Sequence, residues 1–408
     1  MRVFIVNSYW NNHGDEAANR ALIEKLLENN VEVSIAFRVF EKFRNCTFDS
    51  QKVNIIEIRD SKYSNSLVHA RGVLNHWLAF FSKGRILNDA FLESYYTELK
   101  KADLVVYAPG GALCSNMKRG YIFSVFLLLH AKKMKIPYMF YAPSMGPYKK
   151  SAVDLLVKKL INEAEIVCVR EEISKKFIKK FGIKKNIHVT MDSAFQSELD
   201  IEKCKKILAF DQPLTDFLNK YSKIVGITIT DLLWNDSFIQ TETVVENITK
   251  TMQALLADYR DRGIGVLFLP QLFGEQNDVR LLKRFENDHT FTVNENYDCY
   301  VQQYLIKKLW YVIGMRYHSN IFSAKMGVPF ISIAYDYKMR GFMRRLHIEK
   351  YCLEVNDLNI SSLKERIVYL EAHYDEYKKH LQRASVKCKQ LSLKTTEFLL
   401  ELLNKKNM

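Results

Sequence analysis

Arg316 and His318 stand two residues apart in the stretch GMRYHSN, Gly314–Asn320, between the apolar run LWYVI and the segment IFSAKMGVP. A buried strand end is a costly place for charge unless a partner or a ligand compensates it. In an extended stretch, residues two apart point to the same side. That puts a guanidinium and an imidazole on one spot, with Ser319 or Asn320 expected to cap the helix that follows. The N–H groups at a helix start form a ready anion site. Arginine, histidine and helix terminus together suit an anionic substrate beside a proton donor, because histidine titrates near neutrality.

Other strand ends carry similar chemistry. Arg170 follows the apolar run IVCV, and its planar fork suits a carboxylate or a phosphate. Pairing with Glu171 or Glu172 is the alternative. Asp192, in VTMDSAF, either braces the crossing to a second domain or orients a substrate hydroxyl. After the first strand comes NNHGDEAA. Here Asn12 or Asp15 caps a helix, or Gly14 admits a ligand to the backbone and Asp15 contacts it. The motif is not GxGxxG, so no dinucleotide site is expected. Gly110 and Gly111 in APGGALCSN make a tight turn that a ligand can approach, with Asn116 beyond it. Thr228, Thr230, Gln271 and Asp278 are candidates for polar contacts from the second half of the chain. In AYDYKMR, Lys338 and Arg340 extend the anion site or begin a solvated basic helix. There Asp336 is placed to hold a histidine or a sugar hydroxyl, beside Tyr335.

Parallel strands with crossover helices must position these residues. Short apolar runs alternate with longer amphipathic stretches, the pattern of α/β domains. RVFIVNS, VEVSIAF, VNIIEI, DLVVYAP, PYMFYAP, EIVCVR and HVTMD are the strands of the first half. Helical spacing marks residues 15–29, 121–135 and 152–164, and an aromatic-rich helix is expected over 67–81. From Phe195 to Ser222 the strand pattern lapses, and the segment reads as an interdomain crossing. The pattern restarts with KIVGITIT, GVLFLPQ, FTVNE, WYVIGMR and PFISIAY, followed by a helical tail. We expect two tandem Rossmann-like, doubly wound parallel-sheet domains with a cleft between them. The first spans residues 1–200, the second 201–360, and a segment at 361–408 packs back on the first. Ligands of such sheets bind beyond the carboxyl ends of the strands.

The bulk properties narrow the partners. The 408-residue chain carries a formal net charge of +14, which suits an anionic small substrate or an anionic membrane surface. No zinc-finger spacing, helix-turn-helix signature or ribonucleoprotein pattern points to nucleic acid. Seven scattered cysteines without a CxxC argue against a disulfide framework. The start MRVFIVNSYWNN lacks the features of a signal peptide. LVHARGVLNHWLAFF contains an arginine and two histidines, against its spanning a bilayer. The expectation is a cytoplasmic protein with a peripheral membrane contact, for which KKFIKKFGIKK is one candidate face. A homodimer is compatible with the sequence.

Taken in order, NNHGDEAA, PGGAL, SMGP, VREEIS, MDSAF, GITIT, LPQ and GMRYHSNIFSAKMGVPFISIAYD resemble the polysaccharide pyruvyl transferase family. The resemblance implies a glycosyltransferase-B-like fold. It also implies transfer of the pyruvyl unit of phosphoenolpyruvate to two hydroxyls of one sugar, forming a cyclic ketal and releasing phosphate. No metal or redox cofactor is implied. By position, the donor residues would be Arg170, Arg316 and His318 as acid; the strand-end reading above adds Ser319 and Lys338. The acceptor, a sugar or lipid-linked oligosaccharide, would meet Asn12, Asp15, Gly110, Gly111, Asn116 and Asp192. The competing expectation is a nucleotide-sugar glycosyltransferase of the same architecture. A non-catalytic assembly protein is disfavoured by the retained arginines and histidine.

Overall fold

A computed structural model of the chain describes residues 1–9, 12–39, 51–59, 66–114, 120–232, 241–272 and 278–405. It divides into two compact units. Unit 1 comprises Met1–Asn11, Asp15–Ser197 and Cys388–Met408, and unit 2 comprises Asn12–Gly14 and Glu198–Lys387.

Unit 1 holds β1 (Arg2–Tyr9), β2 (Glu32–Val39), β3 (Val53–Arg59), β4 (Leu104–Tyr107), β5 (Gly110–Leu113), β6 (Tyr138–Phe140), β7 (Pro143–Met145), β8 (Cys168–Val169) and β9 (His188–Val189). Its helices are α1 (His13–Glu28), α2 (Ser66–Ser82), α3 (Ala90–Leu99), α4 (Gly120–Lys133), α5 (Ala152–Glu163) and α6 (Glu172–Lys180). The main sheet is parallel in the order β3-β2-β1-β4-β6, with Phe4 opposite Ser34 and Val105. Both faces are covered, so β1 reads as a continuous apolar run. Side-chain alternation sorts that run into two cores. Phe4 and Val6 join Tyr95, Tyr96, Phe126 and Leu160 on one face. Val3 and Ile5 join Leu22, Leu26, Leu399 and Leu403 on the other.

Helix α3 was not read from the sequence, although its signals are present. Leu92, Tyr95, Tyr96 and Leu99 are buried at helical spacing, and Asp89 caps the start by accepting from Phe91 N at 2.9 Å. The glycine turn also differs from expectation. Gly110 and Gly111 open β5, which pairs in parallel with β7 of the SMGP segment.

Unit 2 holds α7 (Ile201–Leu208), α8 (Gln212–Lys220), β10 (Ile224–Thr228), α9 (Thr241–Asp261), β11 (Gly265–Phe268), α10 (Val279–Leu282), β12 (Thr290–Thr292), α11 (Cys299–Lys307) and β13 (Tyr311–Gly314). It continues with α12 (Tyr317–Met326), β14 (Phe330–Ala334), α13 (Tyr337–Arg345), β15 (Cys352–Glu354) and α14 (Ile360–Ala372). The six strands run parallel in the order β12-β11-β10-β13-β14-β15. This is the doubly wound order, and its switch point lies between β10 and β13.

The stretch read as a bare crossing is helical. Asp200 and Asp211 cap α7 and α8 by accepting from Lys203 N at 2.9 Å and Leu214 N at 3.1 Å. Pro213 does not interrupt α8, because it sits in the first turn, where no intrahelical N–H bond is needed. The tail forms α14 and α15 (Tyr374–Lys405), with His373 between them. Residues of α15 up to Lys387 belong to unit 2, and those from Cys388 belong to unit 1.

Candidate active site

The switch point of unit 2 is where the charged residues gather. Thr228 ends β10 and Gly314 ends β13, in register with each other. Beyond them the Thr228 hydroxyl accepts from Met315 N at 3.0 Å and Arg316 N at 3.3 Å, and lies 2.9 Å from the Ser319 hydroxyl. Ser319 donates to the Arg316 carbonyl at 2.6 Å. These bonds fold the chain sharply from strand to helix. Arg316 is the N-cap residue of α12, with extended backbone and no side-chain cap bond. The expectation that Ser319 or Asn320 caps the helix is therefore corrected: the helix begins at Tyr317. Both side chains are buried, and Asn320 instead donates to Ser332 Oγ of β14 at 2.8 Å. His318 sits in the first turn of α12, so its relation to Arg316 comes from the cap geometry rather than from strand alternation.

The Arg316 guanidinium grips Asp278 through two nitrogens, Nη2 to Oδ1 and Nε to Oδ2, the latter at 3.3 Å. Asp278 in turn accepts from Gln271 N at 2.9 Å and Leu272 N at 3.0 Å. Burial works against the charge of Arg316, yet the Asp278 carboxylate and the Tyr335 hydroxyl hold its pKa above the ordinary value. Burial raises the pKa of Tyr335, which neighbouring Arg316 opposes. The Gln271 side chain bonds Gln302, whose Nε2 donates to the Pro270 carbonyl at 2.6 Å.

His318 is half-buried, with its ring 5.1 Å from that of Tyr317 and 6.3 Å from that of Phe322. Its other neighbour is Gly14. A Cβ on Gly14 would lie 1.8 Å from His318 Nδ1, so only glycine lets the imidazole rest there. The segment Asn12–Gly14 belongs to unit 2 and is tied to it by His13 N donating to the Gln271 carbonyl at 3.0 Å and by a bridge from Asn12 to Leu272. At the next strand end, Asp336 caps α13 by accepting from Lys338 N at 3.0 Å. The Lys338 ammonium lies 3.7 Å from the same carboxylate. Arg340 is bound instead to Glu354 at 2.6 Å, on an exposed surface.

Unit 1 has its own arginine at a strand end. Arg170 is buried, donating from Nε to Ser144 Oγ at 2.8 Å and from Nη1 to Asp192 Oδ2 at 2.7 Å. Glu171 lies 3.3 Å from the same Nε and accepts from Ser174 at 2.6 Å. Asp192 also accepts from Ala194 N at 3.0 Å. Asp15 and Gly110 meet: a Cβ on Gly110, whose φ is +95°, would lie 2.3 Å from Asp15 Oδ1.

A model of the family described as polysaccharide pyruvyl transferase matches residues 12–337. The chain belongs to the polysaccharide pyruvyl transferase family. The family range takes in both strand-end arginines and His318. Across 94% of this chain and 95% of the relative, it is 22% identical to the amylovoran biosynthesis protein AmsJ of Erwinia amylovora. In fold it is similar to the UDP-GlcNAc 2-epimerase of Neisseria meningitidis bound to UDP-GlcNAc. That match has a TM-score of 0.58 at 13% identity and covers 99% of this chain and 100% of the other. The UDP complex of S. aureus MnaA gives a TM-score of 0.61 at 10% identity, covering 100% and 97%. These likenesses establish a glycosyltransferase-B-type pair of Rossmann-like domains.

Within this transferase, Arg316, His318, Ser319, Thr228, Gln271, Asp278 and Tyr335 come together in unit 2, joined by Asn12 and Gly14. Arg170 and Asp192 come together in unit 1, as do Asp15 and Gly110. Asn116 lies outside the described residues. Sequence reasoning did not single out Ser144 or Gln302. Ser144 was visible only as part of the SMGP loop, and nothing local marks Gln302, whose partners are some thirty residues away in sequence. Among the described residues, no helix is long and apolar enough to cross a membrane.

Proposed function

We propose that this pyruvyl transferase takes phosphoenolpyruvate as donor and forms a cyclic ketal on two hydroxyls of one sugar in a polysaccharide precursor. The observation that carries the reading is the placement of Arg316 and His318 at the start of α12, at the switch point of the unit 2 sheet. Phosphoenolpyruvate brings a phosphate and a carboxylate, and a guanidinium beside the first-turn N–H groups of a helix is suited to either. Asp278 holds the Arg316 fork in one orientation through Nε and Nη2.

His318 gives a proton to the methylene carbon, and positive charge develops at C2. One sugar hydroxyl adds to C2, and its proton returns to His318. The bond from C2 to the phosphate oxygen then breaks, and inorganic phosphate leaves. The second hydroxyl adds to the same carbon and passes its proton to the departing phosphate, closing the ketal with a new methyl group and the original carboxylate. Gly14, having no side chain, leaves the space that the imidazole occupies. Donor binding also draws on Arg170 and Lys338. Arg170→Lys keeps the charge but loses the fork, and a raised donor KM is expected. An unchanged KM with a lower melting temperature would confine Arg170 to structure. Asp15, Gly110, Gly111, Asn12, Asn116 and Asp192 are proposed for the acceptor side.

His318→Ala should lower phosphate release in the presence of acceptor by roughly 10²–10⁴-fold while the fold survives. Undiminished release in a folded variant rejects the acid assignment. Several structures of similar fold carry UDP or UDP-sugars, so the rival donor is a nucleotide sugar. Thermal shift separates the two: phosphoenolpyruvate should raise the melting temperature and UDP-sugars should not.

A further inference from the structure

Helix α2 is apolar on both of its faces. One face is packed: His76 and Ala79 are buried, with His76 Nδ1 2.9 Å from His130 Nε2 of α4 and its ring stacked on Phe126 at 4.9 Å. Along the opposite face several large apolar side chains are exposed. Leu67 is 80% exposed, Leu74 57% and Phe81 69%, and Ile86 just beyond the helix is 48% exposed. Positions seven apart fall almost two turns apart, so Leu67, Leu74 and Phe81 form one line along the helix. Half of the strongly exposed large apolar side chains among the described residues fall within residues 67–86, and the others are scattered singly. A helix that is apolar all round is normally covered all round, and a contiguous exposed patch marks an interaction surface.

Charge selects the occupant. Residues 66–88 contain Arg71, Lys83 and Arg85, all exposed, and no acidic residue. Half-buried Trp77 stacks on Phe81 at 5.5 Å. An apolar line with aromatic rings and flanking cations is what a helix lying in a lipid headgroup layer presents. A two-fold pairing with a second copy would set the same patch against itself and bring its cations together. We propose that α2 and the turn after it dock unit 1 on an anionic lipid surface. The proposal stands on exposure and charge within unit 1 and is independent of the donor chemistry.

Vesicle flotation of the full chain tests it, using phosphatidylcholine alone and phosphatidylcholine with roughly one third phosphatidylglycerol. The chain should float with the anionic vesicles and not with the neutral ones. Leu74→Ser/Phe81→Ser should cut the bound fraction about tenfold with an unchanged melting temperature, since both side chains are exposed. Arg71→Gln/Lys83→Gln/Arg85→Gln should leave binding only at low salt. As a charge-matched comparison, Lys175→Gln/Lys176→Gln/Lys179→Gln on α6 should bind almost as the wild type does. The proposal is overturned if the wild type floats with neither vesicle, or if the α6 variant loses binding while the α2 variants keep it. It is also overturned if sedimentation shows a wild-type dimer that Leu74→Ser/Phe81→Ser converts to monomer without any flotation. That last result would make the face a contact between copies.

Discussion

Arg170 and Arg316 look alike in the sequence, each placed where an apolar strand ends, and each is paired with an aspartate in the fold. Their surroundings differ. The Arg170 side chain is 3% exposed and joins three segments of unit 1: Ser144 of β7, Glu171 at the start of α6 and Asp192. The Arg316 side chain is 11% exposed and stands at the mouth of a helix beside His318. The first arrangement is that of a buried brace, and the second puts a slightly more exposed guanidinium at a strand end. The same residue type at the same kind of position is held by Ser144, Glu171 and Asp192 in one domain and stands at a helix start in the other.

The largest expected effect tests the brace. Asp192→Ala leaves Arg170 buried without its main counter-charge and should cost about 3–5 kcal/mol of unfolding free energy, read from denaturant melts. Asp278→Ala should cost less, because the Arg316 side chain is 11% exposed against 3% for Arg170, and should act mainly on donor KM. Equal losses of stability in the two variants would erase the contrast. Gly14→Ala comes next. Its methyl group must push the His318 ring aside, and kcat should fall by about 10²-fold with little change in melting temperature. A variant with unchanged kcat would show that the imidazole works equally well from elsewhere.

The smallest effect concerns the packed interior of unit 1. Burial, reinforced by neighbouring His76, holds the His130 pKa well below its ordinary value. The unfolded chain takes up that proton near pH ~6.5, whereas the folded chain resists until lower pH. Stability is thus fully present above that value and falls as the pH drops through the window below it. The slope for one such group is at most about 1.4 kcal/mol per pH unit. Melts of His130→Asn should show a shallower decline between neutral and mildly acidic pH. An unchanged slope would assign the acid sensitivity to other groups.

Much of the fold was legible because doubly wound sheets bury both faces of their strands. RVFIVNS, KIVGITIT and WYVIGMR are continuous apolar runs for that reason. Three short strands, β5, β7 and β15, were not legible. Such short segments carry no periodicity, and their strand character comes from a neighbour already in place. The interdomain reading of residues 195–222 missed α7 and α8 because charge-rich helices with one buried stripe resemble linkers when only strand patterns are sought.

For the site, the sequence by itself determined the residue types and their order: an arginine, a histidine and a helix start within seven residues, with a glycine-aspartate turn near the beginning of the chain. Those are local properties, written in spacing. Only the tertiary structure decided that Arg316 is the cap of α12, that Asp278 clamps it from thirty-eight residues away, and that Gly14 lies under the His318 ring. These contacts join strand ends that are distant in sequence and adjacent in a parallel sheet. Their partners are chosen by strand order, which no single stretch of residues encodes.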